Sequence, residues 1–189
     1  AIDRERRACD AIIAQDDAYA LHEYERPNSF LTMKRLGTLF PEHVHLICPR
    51  TLKVHSLRDV VKAEVDIVVN QYGSGSYITW KLFSRLNRLY RSVKLLEMSP
   101  EEALLRIIDD RRPACMFYVS RIGGRVLDMA DRKVGDRIRL VDVEDPKLHR
   151  PVGRDRVKVY TDSDIPKGSY LRMLDRTVKT QSVGAVFFV

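Results

Sequence analysis

The sequence predicts an α/β fold, a mainly parallel sheet with flanking helices. Three observations carry that expectation. Strand-like runs alternate with helical ones, in the order strand, helix, strand, helix, strand, helix, strand. The run Ala114-Cys115-Met116-Phe117-Tyr118-Val119-Ser120 is apolar enough to be a central strand covered on both faces. The stretch from Val65 to Thr79 joins a β-branched strand, a glycine-rich turn and a helix start, and the rest of the chain is organised around it.

In chain order, residues 1–10 are charged and helix-like, and residues 11–15 form a short buried strand. Asp16 and Asp17 then cap a short helix over residues 18–24, which ends where Arg26-Pro27-Asn28-Ser29 breaks the pattern. Residues 36–40 and 43–48 are extended segments stopped by Pro49. His43 and His45 share one face of the second segment, but no third ligand stands near them and no metal site is expected. Ser56 caps a turn of helix over residues 57–61, with Asp59 three residues on. Past the glycine-rich turn, Ile78, Leu82, Leu86 and Leu89 recur at helical spacing and predict a helix over residues 77–90.

A strand over residues 92–98 follows, and then the clearest helix start in the chain, Ser99-Pro100-Glu101-Glu102. Ser99 is the N-cap, Pro100 fits the first helical position, and Glu102 completes a capping box. Ala103, Leu104, Ile107 and Ile108 form the buried stripe of that helix, and Arg111 and Arg112 sit near its end, where positive charge is favoured. After the central strand, residues 126–129 lead into another helix, and residues 137–143 alternate as a strand near an edge does. Residues 144–168 are rich in proline and charge, with a short strand at 157–160. The chain finishes extended over residues 177–189, the last seven apolar enough to be buried.

Composition excludes several classes. Of 189 residues 44% are hydrophobic, an ordinary share for a globular protein with a real core. No apolar run approaches the ~20 residues that a membrane helix needs. The net charge of +7 is scattered, and no zinc-finger, RNA-binding or helix-turn-helix pattern accompanies it. A solvated basic surface is therefore expected, not a nucleic-acid interface. Cys9, Cys48 and Cys115 have no metal-ligand spacing, and the last two lie in apolar strand-like runs, where buried thiols are expected. No Ser/His/Asp order, Cys/His pair beside a base, or paired carboxylates on a common element can be argued, so neither catalysis nor a cofactor is expected.

The turn Gly73-Ser74-Gly75-Ser76 is the candidate site. Its glycines let the backbone take conformations closed to other residues and let a ligand come close. Ser74 or Ser76 caps the helix, whose free N–H groups and positive dipole end suit a carboxylate or phosphate. The same residues also make a tight strand-to-helix connection without any ligand. The glycine spacing satisfies neither the dinucleotide nor the P-loop pattern.

Seven pieces of the chain, in order, resemble the TAXI group of solute-binding proteins that serve TRAP transporters. They are Ala11-Ile12-Ile13-Ala14-Gln15-Asp16-Asp17, Leu39-Phe40-Pro41-Glu42-His43-Val44-His45-Leu46, Ser56-Leu57-Arg58-Asp59-Val60, Gly73-Ser74-Gly75-Ser76, the helix from Ser99, Phe117-Tyr118-Val119, and Ile165-Pro166-Lys167-Gly168-Ser169-Tyr170. The resemblance implies a type II periplasmic-binding-protein fold, of which this chain would hold the second lobe and part of the first. Residues 1–50 would be the partial first lobe and a crossing strand, 51–176 the second lobe, and 177–189 the return crossing strand. The family's earlier strand and glycine-rich loop, and its later helix, have no counterpart here.

The resemblance implies a small carboxylate ligand, glutamate-, glutamine- or dicarboxylate-like, handed to membrane subunits of a TRAP-type transporter in a periplasmic or extracytoplasmic setting. Gly73, Ser74, Gly75 and Ser76 would hold one carboxylate, with Gln71 beside them. Tyr118 and Arg121 would stand at the cleft end of the central strand, Arg121 pairing a second carboxylate. Gln15 and Asp16 would approach from the first lobe, Asp16 orienting an ammonium, and Tyr170 would close over the ligand. Two other functions remain open at this point: an interaction module that has lost its ligand, and an effector-sensing domain of a transcription regulator.

Overall fold

The computed structural model of the protein describes residues 10–26, 33–109, 111–153 and 156–189. The helix expected at the N-terminus (but for Asp10), Cys9 and the break at residues 27–29 fall outside them. In order the elements are β1 (Ile12–Gln15), α1 (Asp16–Glu25), β2 (Arg35–Pro49), α2 (Leu57–Lys62), β3 (Asp66–Val69), α3 (Gly75–Leu86), β4 (Leu95–Glu97), α4 (Pro100–Ile107), β5 (Ala114–Ser120), α5 (Arg125–Val134), β6 (Ile138–Val141), β7 (Tyr160–Ile165) and β8 (Val178–Phe188). Among the described residues, one eight-stranded sheet takes in every strand, along the path β1-β8-β2-β5-β3-β4, with β6 paired to β2 and β7 to β8.

The α/β class with flanking helices holds. The sheet itself is mixed. β3 runs parallel to β4 and β5, while the pairings made by β2 and β8 are antiparallel. The parallel part is covered on both faces, and its alternation serves two cores. Ile67, Val69, Cys115 and Phe117 face α3 and its aromatic residues Trp80 and Phe83. Val68, Ala114 and Met116 face the opposite way, towards Leu104 and Ile107 of α4 and Leu127 of α5.

Local chemistry sets the helix ends. Ser56 and Ser99 each form a complete capping box, with Asp59 and Glu102 returning a bond to the N-cap backbone. α3 is shorter than its periodicity predicts. It stops at Leu86 because Asn87 turns extended; its Oδ1 accepts from Leu89 N–H and its Nδ2 donates to Asp145. Residues 88–92 continue as a 3₁₀ turn that leaves Leu89 exposed.

Other expectations change as well. The two extended segments at 36–40 and 43–48 are one strand, β2, with irregular register against β8 between Arg35 and Gly37 and between Thr38 and Phe40. β1, expected to be buried, is an edge strand with Ile13 63% exposed. The strand expected at 157–160 starts only at Tyr160, because Val157 makes just a bridge to Val152. Cys48 and Cys115 are not free thiols but a buried disulfide between β2 and β5. The antiparallel register that sets Ile47 against Met116 brings the next pair, Cys48 and Cys115, face to face with Cα atoms 4.4 Å apart. No helix among the described residues is long and apolar enough to cross a membrane.

Candidate functional site

A cleft of about 490 Å³ opens where the end of β1 meets the start of α3. One wall is the turn Gly73-Ser74-Gly75-Ser76, and β1, β2 and β8 supply the other through Ile13, Gln15, Phe40, Glu42 and Ala185. Asn70 at the end of β3 and Tyr118 of β5 complete it.

The turn residues each have a defined job. Gly73 sits at φ +80°, in the left-handed region where a side chain would be strained. Ser74 is the N-cap of α3 and its Oγ accepts from Tyr77 N–H at 3.2 Å. Ser76 is buried, and its Oγ accepts from Val119 N–H at 2.9 Å, which fixes the first turn of α3 onto β5. Both hydroxyls keep their proton as a donor. Gly75 is a close-approach glycine, since a Cβ there would lie 2.5 Å from Gln15 Oε1.

Gln15 is nine-tenths buried. Its Nε2 donates to Glu42 Oε2 at 2.7 Å, while its Oε1 has no partner and faces Gly75. An orphaned buried acceptor beside a helix start is costly unless something completes it. Tyr118 is half-buried; burial, with help from Glu101 and Glu42, raises its phenol above the ordinary range. Among the described residues, no lysine or arginine lines the cleft.

The structure thus brings Gln15, Gly73, Ser74, Gly75, Ser76 and Tyr118 together. It leaves four expected residues elsewhere. Asp16 points away, into a bidentate pair with Arg35 at 3.0 Å for both bonds. Gln71 is exposed outside the cleft, its N–H donating to Asn70 Oδ1. Arg121 is exposed and does not line the cleft; its carbonyl accepts from Gly124 N–H at the turn into α5.

Tyr170 is buried and cannot act as a lid. It accepts from Gly123 N–H at 3.2 Å and donates to His45 Nε2 at 3.0 Å. His45 Nδ1 in turn donates to His43 carbonyl at 2.9 Å, and burial pushes its pKa down to about 3, so near neutral pH the ring is uncharged and Nε2 is an acceptor. The loop that carries Tyr170 is held by Asp131, whose carboxylate accepts from the N–H groups of Leu171, Arg172 and Met173.

Asp17 was expected to cap its own helix. Instead it is fully buried and accepts from Thr79 Oγ1 at 2.5 Å and from Tyr160 Oη at 2.9 Å. Burial raises its carboxyl to about 7. The contact ties α1 to α3 and holds Gln15, the residue before α1, against the cleft. Glu42, Asn70 and Phe40 are site residues that sequence reasoning missed. Glu42 and Phe40 lay inside the crossing-strand motif, but only the register of β2 against β8 and β5 places them here.

No protein-family profile and no curated protein match this sequence. Solved structures with similar chain paths include the glycine/betaine/L-proline-binding protein ProX of an ABC transporter from Borrelia burgdorferi. It is 10% identical, with a TM-score of 0.48 over 92% of this chain and 55% of that one. The amino acid ABC transporter substrate-binding protein AbpA from Streptococcus pneumoniae, bound to L-arginine, is 9% identical, with a TM-score of 0.44 over 94% and 52%. An ancestral cyclohexadienyl dehydratase is 14% identical, with a TM-score of 0.40 over 80% and 48%. The chain spans about half the length of these proteins.

Proposed function

We propose that this chain captures a small carboxylate-bearing solute in the cleft at the start of α3, without chemical turnover. The observation that carries the reading is the helix start that opens into one wall of the cleft. There the N–H groups at the N-terminus of a twelve-residue helix stand beside the hydroxyls of Ser74 and Ser76, each of which keeps its proton as a donor. A carboxylate takes the helix end through donors that face it and a dipole of the right sign. The sequence resemblance extends the proposal to a two-lobed receptor with residues 51–176 as its second lobe, and to membrane subunits of a TRAP-type transporter that receive the solute. An extracytoplasmic site of action fits the disulfide between Cys48 and Cys115, since such bonds persist in oxidising compartments.

The test is a thermal-shift screen of this chain against monocarboxylates, amino acids, dicarboxylates, keto acids and inorganic phosphate, beside Ser74→Glu. A ligand at ~100 Kd adds ~2.7 kcal/mol of stability, enough for a shift of several degrees. The expected result is a shift with carboxylates that Ser74→Glu abolishes, because its own carboxylate repels an anion at the turn. A screen in which no carboxylate moves the transition removes the reading.

A further inference from the structure

We infer that the groove between α1 and α3, beside the cleft, binds a planar aromatic ring that carries an anionic group on a short arm. The ligand class is arene-alkyl carboxylates and their phosphate counterparts. This second site stands independently of the carboxylate reading of the cleft.

Gly73 divides the two. It lines both, and the chain reverses there at φ +80°, so that Ser74 lines the cleft and Tyr72 lines the groove. The groove holds about 340 Å³ over an apolar floor of Ala18, Leu21 and Ile78.

Three observations carry the inference. Tyr72 is 79% exposed, and its ring meets that of Tyr77 with centroids 5.1 Å apart and planes inclined by 54°. So little of Tyr72 is buried that packing does not account for it, and it offers a bare aromatic face at the groove. Lys81, half-buried and one turn beyond Tyr77, holds its Nζ 5.9 Å from the centre of the Tyr77 ring, and no carboxylate among the described residues pairs with it. That distance is the outer edge of a cation–π contact, which leaves the ammonium open to an anion. Glu25, the one acid among the described residues that line the groove, is already neutralised by Arg85 at 3.5 Å. Arg85 is in turn anchored 5.8 Å over the Tyr24 ring, and Arg26 keeps the sign of the groove positive.

Tyr77 touches both partners, so the bare ring and the ammonium are one tyrosine apart. A ligand ring stacked on Tyr72 over the apolar floor reaches Nζ with an acid group one or two carbons from the ring. The cleft has no counterpart to Lys81, since no lysine or arginine lines it among the described residues.

Isothermal titration of this chain with 3-phenylpropionate, 3-cyclohexylpropionate and 3-phenyl-1-propanol tests the inference. The aromatic acid is expected to bind tightest. The cyclohexyl acid, which lacks a flat face, should be weaker by roughly 3- to 10-fold. The neutral alcohol, which leaves Lys81 unpaired, should be weaker by about 10-fold. Tyr72→Ser and Lys81→Gln are each expected to weaken 3-phenylpropionate by about 10-fold, while Lys81→Arg keeps the charge and most of the affinity. Ser74→Glu, which closes the cleft to anions, is expected to leave the aromatic acid bound. Thermal unfolding of each variant checks that it folds; should one fail, the other variants and the wild-type ranking decide. The cyclohexyl acid or the alcohol binding as tightly as the aromatic acid overturns the site. So does affinity that survives both Tyr72→Ser and Lys81→Gln, or that is lost in Ser74→Glu. Binding of none of the three probes also overturns it, and leaves the reading of the cleft to its own screen.

Discussion

The two ends of the sheet obey different rules. At the β5-β3-β4 end, strands are covered on both faces, and Ile67, Val68 and Val69 are wholly inaccessible to water. At the β1-β8 end, α1 covers one face through contacts such as the stacked Tyr19 and Phe188 rings. There Leu36 and Phe40 of β2 stay 61% and 45% exposed. The first end is built to be rigid. The second is built to present a wall. The cleft lies where they meet, so its chemistry is borrowed from both: donors from a capped helix on the rigid side, acceptors and apolar flank from the open side.

That contrast can be broken experimentally. Phe83 of α3 is fully buried and meets Phe117 and Tyr160 edge-on, with centroids 5.5 and 4.8 Å away. Phe83→Ala is expected to cost about 3–5 kcal/mol in urea unfolding. A cost below about 1 kcal/mol would deny that this end is the tightly packed one.

The joint between the ends should respond to pH. Asp17 of α1 titrates at about 7 in the folded chain against 3.8 for a free carboxyl. The folded state therefore binds the proton more tightly, and its contribution to stability is complete below the unfolded value and lost as pH rises through about 7. From about pH 5.5 to about pH 8, unfolding free energy is expected to fall by roughly 2 kcal/mol on this account. Asp17→Asn should flatten that slope, and a variant with the wild-type slope would show that another group sets it.

Smaller effects complete the series. Ser99→Ala removes the N-cap of α4 and should cost about 1 kcal/mol by chemical denaturation. Leu36→Ser, on the open wall, should change stability by no more than about 0.5 kcal/mol. If Leu36→Ser costs as much as the cap, that wall is covered in the folded protein.

What was legible in the sequence divides along the same line. The capping boxes at Ser56 and Ser99, the glycine turn and the apolar run of β5 are written within a few neighbouring residues, and each formed. Gln15, placed by the resemblance, and Tyr118, placed by its position late in a central strand, both line the cleft. Asp16 and Asp17 are adjacent and alike, yet one is a half-open ion pair with Arg35 and the other is buried under Thr79 and Tyr160. Nothing local separates them; the rotation of α1 about its axis does. The resemblance implied that Tyr170 closes over a ligand, but Asp131, much earlier in the chain, holds that loop inward through the N–H groups of Leu171, Arg172 and Met173. Glu42 and the Cys48–Cys115 bond were hidden for one shared reason. Both depend on β2 register, and register is settled by strands more than 60 residues away in sequence.

That same strand has a mechanical consequence. β8 pairs the first part of β2 and β5 pairs the last, and His43 belongs to both ladders, opposite Ser182 on one side and Ser120 on the other. The two walls of the cleft therefore hang from one continuous backbone, with Glu42 next to the handover. Any widening of the gap is a twist of β2 about His43, resisted by the Asp17 tie between α1 and α3. The strand works as a torsion bar, and Glu42, on the cleft wall, sits near its point of least travel.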